Sequence, residues 1–204
     1  MRRISGSPPR GRWLVLLFVM ANASCALRSS DEPPGPGWER GGIPNLDGVT
    51  VLVLPVQRAY VTGGDIDSEI VFALRARAGE RLELRDVSDL CGMTEGAGAF
   101  AVNPAHLDVS AFFRGEVERV GDPLYGAQYR LAALVGADLV LLPVQARSVV
   151  HGEEEVSVVL NAALLEPRSG RVVWQGILEG DRASAGSPGS AASVAEHLAA
   201  RLLP

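Results

Sequence analysis

The sequence contains no lysine; all 19 basic residues are arginine. That absence excludes Schiff-base chemistry, a lysine general base and a Gly-x-x-x-x-Gly-Lys phosphate loop. Histidine occurs three times, as His106, His151 and His197, in separate segments and without His-Glu-x-x-His or other ligand spacing. These read as solvated or partly buried side chains. Two cysteines, Cys25 and Cys91, are too few for a structural zinc site. No Gly-x-Ser-x-Gly elbow occurs, and Ser187 and Ser190 fall in a small-residue spacer at 183–190. Glu153, Glu154 and Glu155, beside His151 and Gly152, read as a charged hairpin tip whose consecutive side chains diverge too far to hold a metal. No residue is nominated as catalytic, cofactor-binding or metal-binding, and no cofactor is implied. The chain reads as a non-enzyme.

What is present is a core. The apolar fraction of 47% is enough for one globular domain, and 204 residues leave room for appendages. The net charge is −5, and losing residues 1–24 removes four arginines and no acid, which takes it to −9. An acidic domain with no basic run is a poor ligand for nucleic acid, so none is expected as a partner.

Residues 1–24 have the three parts of a secretory signal. Arg2, Arg3, Arg10 and Arg12 precede a short apolar core at 13–21, and Asn22, Ala23 and Ser24 lead to Cys25. The apolar run is too short for a stop-transfer helix. A cysteine after Ala-Ser resembles the bacterial lipobox, with Asn22 where leucine is usual, and the resemblance implies lipidation of Cys25. Ordinary cleavage would instead leave Cys25 free to pair with Cys91 in an oxidising compartment. Residues 25–48, with Pro33, Pro34, Gly35, Pro36, Gly37, Gly41 and Gly42, read as a flexible tether. About 20 extended residues would reach roughly 65 Å at most.

The globular part, 49–204, is built around residues 136–147. There Leu139, Val140, Leu141 and Leu142 run apolar without alternation, as in a strand buried on both faces. An earlier run, 51–54, shares the Leu-Pro-Val-Gln ending, so the two are expected as neighbouring central strands closed by Pro55 and Pro143. Between them, Ile66, Ile70, Ala73 and Leu74 mark one face of a helix capped by Asp65 or Asp67 and stopped by Gly79. Residues 82–87 alternate as a peripheral strand. Residues 88–103 are a glycine-rich loop in which Gly96-x-Gly98-x-x-Ala101 imitates a dinucleotide fingerprint without the strand it requires. A short helix is predicted from Asn103-Pro104 through Phe113, and another after Asp122-Pro123 up to Gly136. Strands over 156–165 and 171–178, joined by a tight loop, and a helix bearing Val194, Ala195, Leu198 and Leu202 complete the chain. The predicted fold is α/β, a single mixed sheet in the order β-α-β-α-α-β-β-β-α, with a C-terminal antiparallel meander and packed helices.

Three features carry a resemblance: the opening strand that ends in Pro55, the helix leading into Gly136-Ala137-Asp138-Leu139-Val140, and the closing hairpin from Leu164 to Trp174 with Ser169-Gly170-Arg171-Val172 at its bend. Together they resemble the periplasmic lipoprotein group of curli-secretion lipoproteins, lipoprotein activators of penicillin-binding proteins and the N-terminal domain of TolB. The likeness runs in order over 49–202. It implies a non-catalytic cell-envelope lipoprotein, anchored by lipid and facing the periplasm from the outer membrane. Such a protein would act by binding another envelope protein or itself, in envelope assembly or secretion. Residues 88–115 lack the alternation of a membrane hairpin, so pore formation is not expected. The alternatives are a soluble periplasmic protein, or an enzyme with a pocket near 88–103, where Asp86, Asp89 and Glu95 are the ionisable groups at hand. Two binding surfaces are expected, the 88–103 loop and the edge of the 171–178 strand, unless the final helix covers that edge.

Overall fold

The computed structural model describes residues 34–89, 102–114 and 117–204. Residues 1–24, expected as a signal, together with Cys25, Cys91, Glu95 and the Gly96-x-Gly98 stretch, lie outside the described residues.

The two apolar runs do lie side by side. β2 (Thr50–Val53) and β5 (Leu139–His151) pair in parallel, Val51 opposite Leu139 and Val53 opposite Leu141. β4 (Glu83–Arg85) adds in parallel to the other side of β2. β6 (Glu155–Glu166) and β7 (Arg171–Glu179) continue from β5 as an antiparallel meander. With β1 (Glu39–Gly41), the sheet order is β1-β7-β6-β5-β2-β4, while the two-residue β3 (Ala59–Tyr60) pairs with β5 and β8 (Ala183–Ser184) with β6. The predicted mixed sheet with a C-terminal meander is the observed fold.

Successive residues of the central strands face opposite ways, and both faces are covered, which is why those strands read as continuous apolar runs. On one face Val51, Val53, Leu139, Leu141, Leu160 and Trp174 pack against α1 (Ile66–Ala78) and the last helix, α3 (Gly189–Leu202). On the other, Leu52, Val140, Leu142 and Leu165 pack against α2 (Leu124–Val135) and Phe112. Asp65 caps α1 as predicted, its carboxylate accepting from the amides of Asp67 and Ser68. Ser190, fully buried at the start of α3, accepts the Val158 amide at 2.7 Å and so ties that helix to β6.

Four expectations are corrected. Pro143 does not close the central strand: β5 runs on to His151, and the missing N–H of Pro143 is absorbed by a register shift between Pro143 and Gln145. Residues 103–113 form turns and a 3-10 turn at Ser110–Phe113 rather than a helix through the whole segment. Asn103 and Asp108 accept the amides two residues on, Ala105 and Ser110, which diverts the backbone from helix. Gln57 pins the same segment, donating to the Pro104 carbonyl and accepting the Leu107 amide.

The other two corrections concern the 34–48 stretch and the β7 edge. The tether expected over 25–48 is already docked within its described part. Gly37 donates to Ile177, Ile177 donates to Trp38, and residues 39–41 form β1 on the outer edge of β7. Glu39 then accepts three hydrogen bonds from Arg201 of α3, at 2.6, 2.9 and 2.7 Å. Farther along the same edge, residues 118–120 pair with 170–172. The edge of β7 is therefore occupied by the chain itself, and the final helix packs on a face of the sheet instead.

Candidate functional site

At the carboxyl ends of the parallel strands, where open α/β sheets bind ligands, a cleft of about 650 Å³ lies between α1 and the chain leaving β4. Val53, Leu54 and Pro55 form one wall. Val71, Phe72, Arg75 and Ala76 of α1 face it, and Asp86, Val87 and Ser88 close the side beyond β4. The 3.6-residue period of α1 turns Ile70, Ala73 and Leu74 into the core and leaves Phe72 outside, 72% exposed. Phe72 thus adds an exposed aromatic ring to the rim of the apolar cleft. β4 is the last strand of the sheet, and among the described residues nothing pairs with its outer edge.

The ionisable groups of this cleft are all engaged locally. The Arg75 guanidinium meets Asp86 at 2.8 Å. Burial pushes the Asp86 carboxyl up, but hydrogen bonds from Ser88 and the charge of Arg75 outweigh it and hold the group below its ordinary range. Asp89, the second predicted acid, accepts the Asp86 amide at 2.9 Å. Asp67 accepts the Val56 amide at 2.6 Å, and its pKa is raised, mainly by burial and further by the nearby Asp65 charge. Ser68 and Ser88 each donate to an aspartate, Asp65 and Asp86. No imidazole is among the described residues that line the cleft.

The histidines are solvated or partly buried, as the sequence reading has them: His106 and His197 are exposed and His151 is half-buried. His151 and His197 converge on one residue, Glu179. The ring of His151 lies 3.5 Å from the Glu179 carboxylate, and His197 Nδ1 lies 2.9 Å from its carbonyl oxygen. Ser157 stands between His151 and Glu179, 2.7 Å from His151 Nε2, and donates to the Glu179 carboxylate. A nucleophilic triad needs the imidazole between serine and acid. Here the serine occupies the middle, is fully buried, and serves as a structural bridge. The Glu153–Glu155 tip lies at the β5–β6 turn, with Glu155 4.0 Å from Arg182. Among the described residues no group of three His, Cys, Asp or Glu side chains is placed to hold a metal ion, and no helix is long and apolar enough to cross a membrane.

The apolar cleft itself was invisible in the sequence, since Phe72 sits within the apolar run at 70–74 and β4 is only three residues long. The sequence signal that could have found it is Phe72 falling off the apolar stripe of α1.

No family model matches the chain, and no curated protein does. Solved structures similar to it include the PelC dodecamer from Paraburkholderia phytofirmans, at 18% identity and a TM-score of 0.44, over 81% of this chain and 92% of that one. The LpoB C-terminal domain from Salmonella enterica matches at 17% identity and a TM-score of 0.40, over 66% and 83%. Lipoprotein GNA1162 from Neisseria meningitidis matches at 15% identity and a TM-score of 0.40, over 67% and 83%.

Proposed function

We propose that the chain is a lipid-anchored, non-catalytic protein of the bacterial cell envelope that docks a protein partner at its β4 edge. The observation that carries the docking is a strand edge, unpaired among the described residues, running beside an apolar cleft with Phe72 at its rim. An extended partner segment can pair its backbone with β4 and lay alternate apolar side chains in the cleft. Among the described residues Asp86 pairs with Arg75 and Asp67 accepts the Val56 amide, so these groups brace the cleft wall that a partner segment would meet.

The anchor rests on the signal-like segment and the small residues before Cys25. One acyl chain gives only marginal membrane residence, so stable attachment takes the several chains of bacterial lipidation. Attachment at the periplasmic face of the outer membrane belongs to the same reading. Intact mass of the mature protein should show a diacylglyceryl group on Cys25, and Cys25→Ser should move a folded domain into the soluble fraction.

The docking test uses full-length protein extracted from membranes. An envelope protein that co-purifies in fixed proportion with the wild type should be lost from Phe72→Ser, with the unfolding midpoint unchanged. A partner retained at wild-type yield by a folded Phe72→Ser variant contradicts the docking.

A further inference from the structure

A second site lies across the molecule from the cleft and is independent of it. β1 and residues 118–120 sit end to end on the outer edge of β7, and a depression of about 360 Å³ opens where they meet. Two local features keep that gap open. β7 carries an extra residue there, since Trp174 pairs with Leu164 and Val172 with Leu165, leaving Val173 unopposed. Gly41 ends β1 at φ 78° with its α-carbon so close to the Val173 carbonyl that a Cβ would lie 2.2 Å from that oxygen.

The lining inverts the charge of the protein. In a chain of net charge −5, three guanidinium groups, Arg40, Arg119 and Arg171, line this one depression, and Glu118 is the only acid among its described lining residues. Arg119 and Arg171 are direct partners across an antiparallel bridge, a position where like charges destabilise a sheet. Arg119 forms no ion pair among the described residues. Arg171 meets Glu166 at 3.5 Å through two largely exposed side chains, and Glu118, itself 84% exposed, reaches Arg40 at 2.8 Å. The exposed Glu166 can be displaced from Arg171 at little cost, because exposed ion pairs contribute little.

Beside the arginines lies a polar group of the opposite need. Gln175 stands opposite Arg40 in the β1–β7 ladder and is 3% exposed. Its Nε2 donates to Asn161, while its buried Oε1 has no hydrogen-bond partner. An unpaired buried carbonyl is costly, and a ligand that brings a donor would relieve it.

We infer that this depression, with Arg119, Arg171 and Gln175 as its binding groups, takes an oxyanion flanked by hydroxyl groups, as in an acidic sugar. The guanidinium forks recognise the carboxylate in bidentate fashion, and a neighbouring hydroxyl donates to Gln175 Oε1. A bare anion meets only the first requirement and a neutral sugar only the second.

The test is a titration of the full mature chain, labelled for NMR, with glucuronate, glucose and inorganic phosphate separately. Glucuronate should give saturable shifts at both the arginine Nε–H signals and the Gln175 side-chain amide. Phosphate should move the arginine signals alone, and glucose neither. Arg119→Gln should weaken glucuronate binding about tenfold, the effect of losing one charge-assisted contact of about 1.4 kcal/mol. The same variant should be at least as stable as the wild type, since it removes a like-charge pair. Equal responses to glucuronate and glucose, a phosphate shift at Gln175 matching that of glucuronate, or unchanged affinity in Arg119→Gln would each overturn the assignment.

Discussion

The two edges of the sheet solve the same problem in opposite ways. An edge strand exposes unpaired backbone groups that invite another chain. At β7 the protein closes its own edge, with residues 37–41 and 118–120 hydrogen-bonded along it and Glu39 fastened to Arg201 of α3. At β4 it leaves three residues uncovered among the described ones, beside an apolar cleft and an exposed phenylalanine. The difference teaches where a partner strand can enter. The closed β7 edge and the β4 edge, unpaired among the described residues, are the two opposite ends of the sheet order.

The largest expected effect contrasts an aromatic at each edge. Trp174 on β7 is fully buried, and Trp174→Ala should cost about 3–5 kcal/mol in a denaturant titration. Phe72→Ala should stay within about 0.5 kcal/mol of the wild type, as surface substitutions do. A Phe72→Ala loss as large as that of Trp174→Ala would mean the β4 edge is covered and would end the comparison.

Next in size is Gly176→Ala. A Cβ at that position would lie 2.5 Å from the Trp174 indole, so the substitution forces the ring or the strand to move and should cost about 1–3 kcal/mol. The Trp174-x-Gly176 pair thus packs as one unit. A neutral result would show that the closed edge tolerates rearrangement and is less rigid than its packing indicates.

Much of this was legible from residues alone, for a physical reason. Leu139 to Leu142 and their counterparts at 51–54 form central strands because burial on both faces leaves no polar position to interrupt the run. Asp65, Gly79 and Gly136 act locally and were readable as helix punctuation. β1 was hidden because Glu39, Arg40 and Gly41 carry no strand period, and their pairing with residues 174–176 is entirely non-local. The arginine-lined depression was hidden for the same reason, since it draws on β1, residues 117–119 and β7. Pro143 misled because a proline tolerated at a bulge looks, in sequence, like one that ends a strand.

Smaller effects come from protons. Burial raises the Asp67 pKa, so the folded state holds that proton more tightly than the unfolded chain does. Its contribution therefore falls as pH rises from the ordinary carboxylate range through the raised value, and Asp67→Asn should slightly raise stability at neutral pH. Its calorimetric midpoint falling well below that of the wild type would contradict this. Glu39 has the opposite sign: hydrogen bonds from Arg201 lower its pKa, so its contribution is present above the ordinary range and lost as pH falls through the lowered value. Glu39→Gln should leave global stability nearly intact while raising amide exchange several-fold at Gly37 and Ile177, the bonds that hold the 37–41 segment to β7. Unchanged exchange there would show that the backbone ladder alone keeps that edge closed.

The most direct measurement places a photo-crosslinking amino acid at Phe72, beside the free edge, and separately at Glu196 on α3, in full-length protein within intact cells. The account predicts one discrete protein adduct from position 72 and none above background from position 196. Adducts of equal yield at both positions, or none at position 72 while the protein is folded and membrane-bound, would contradict it.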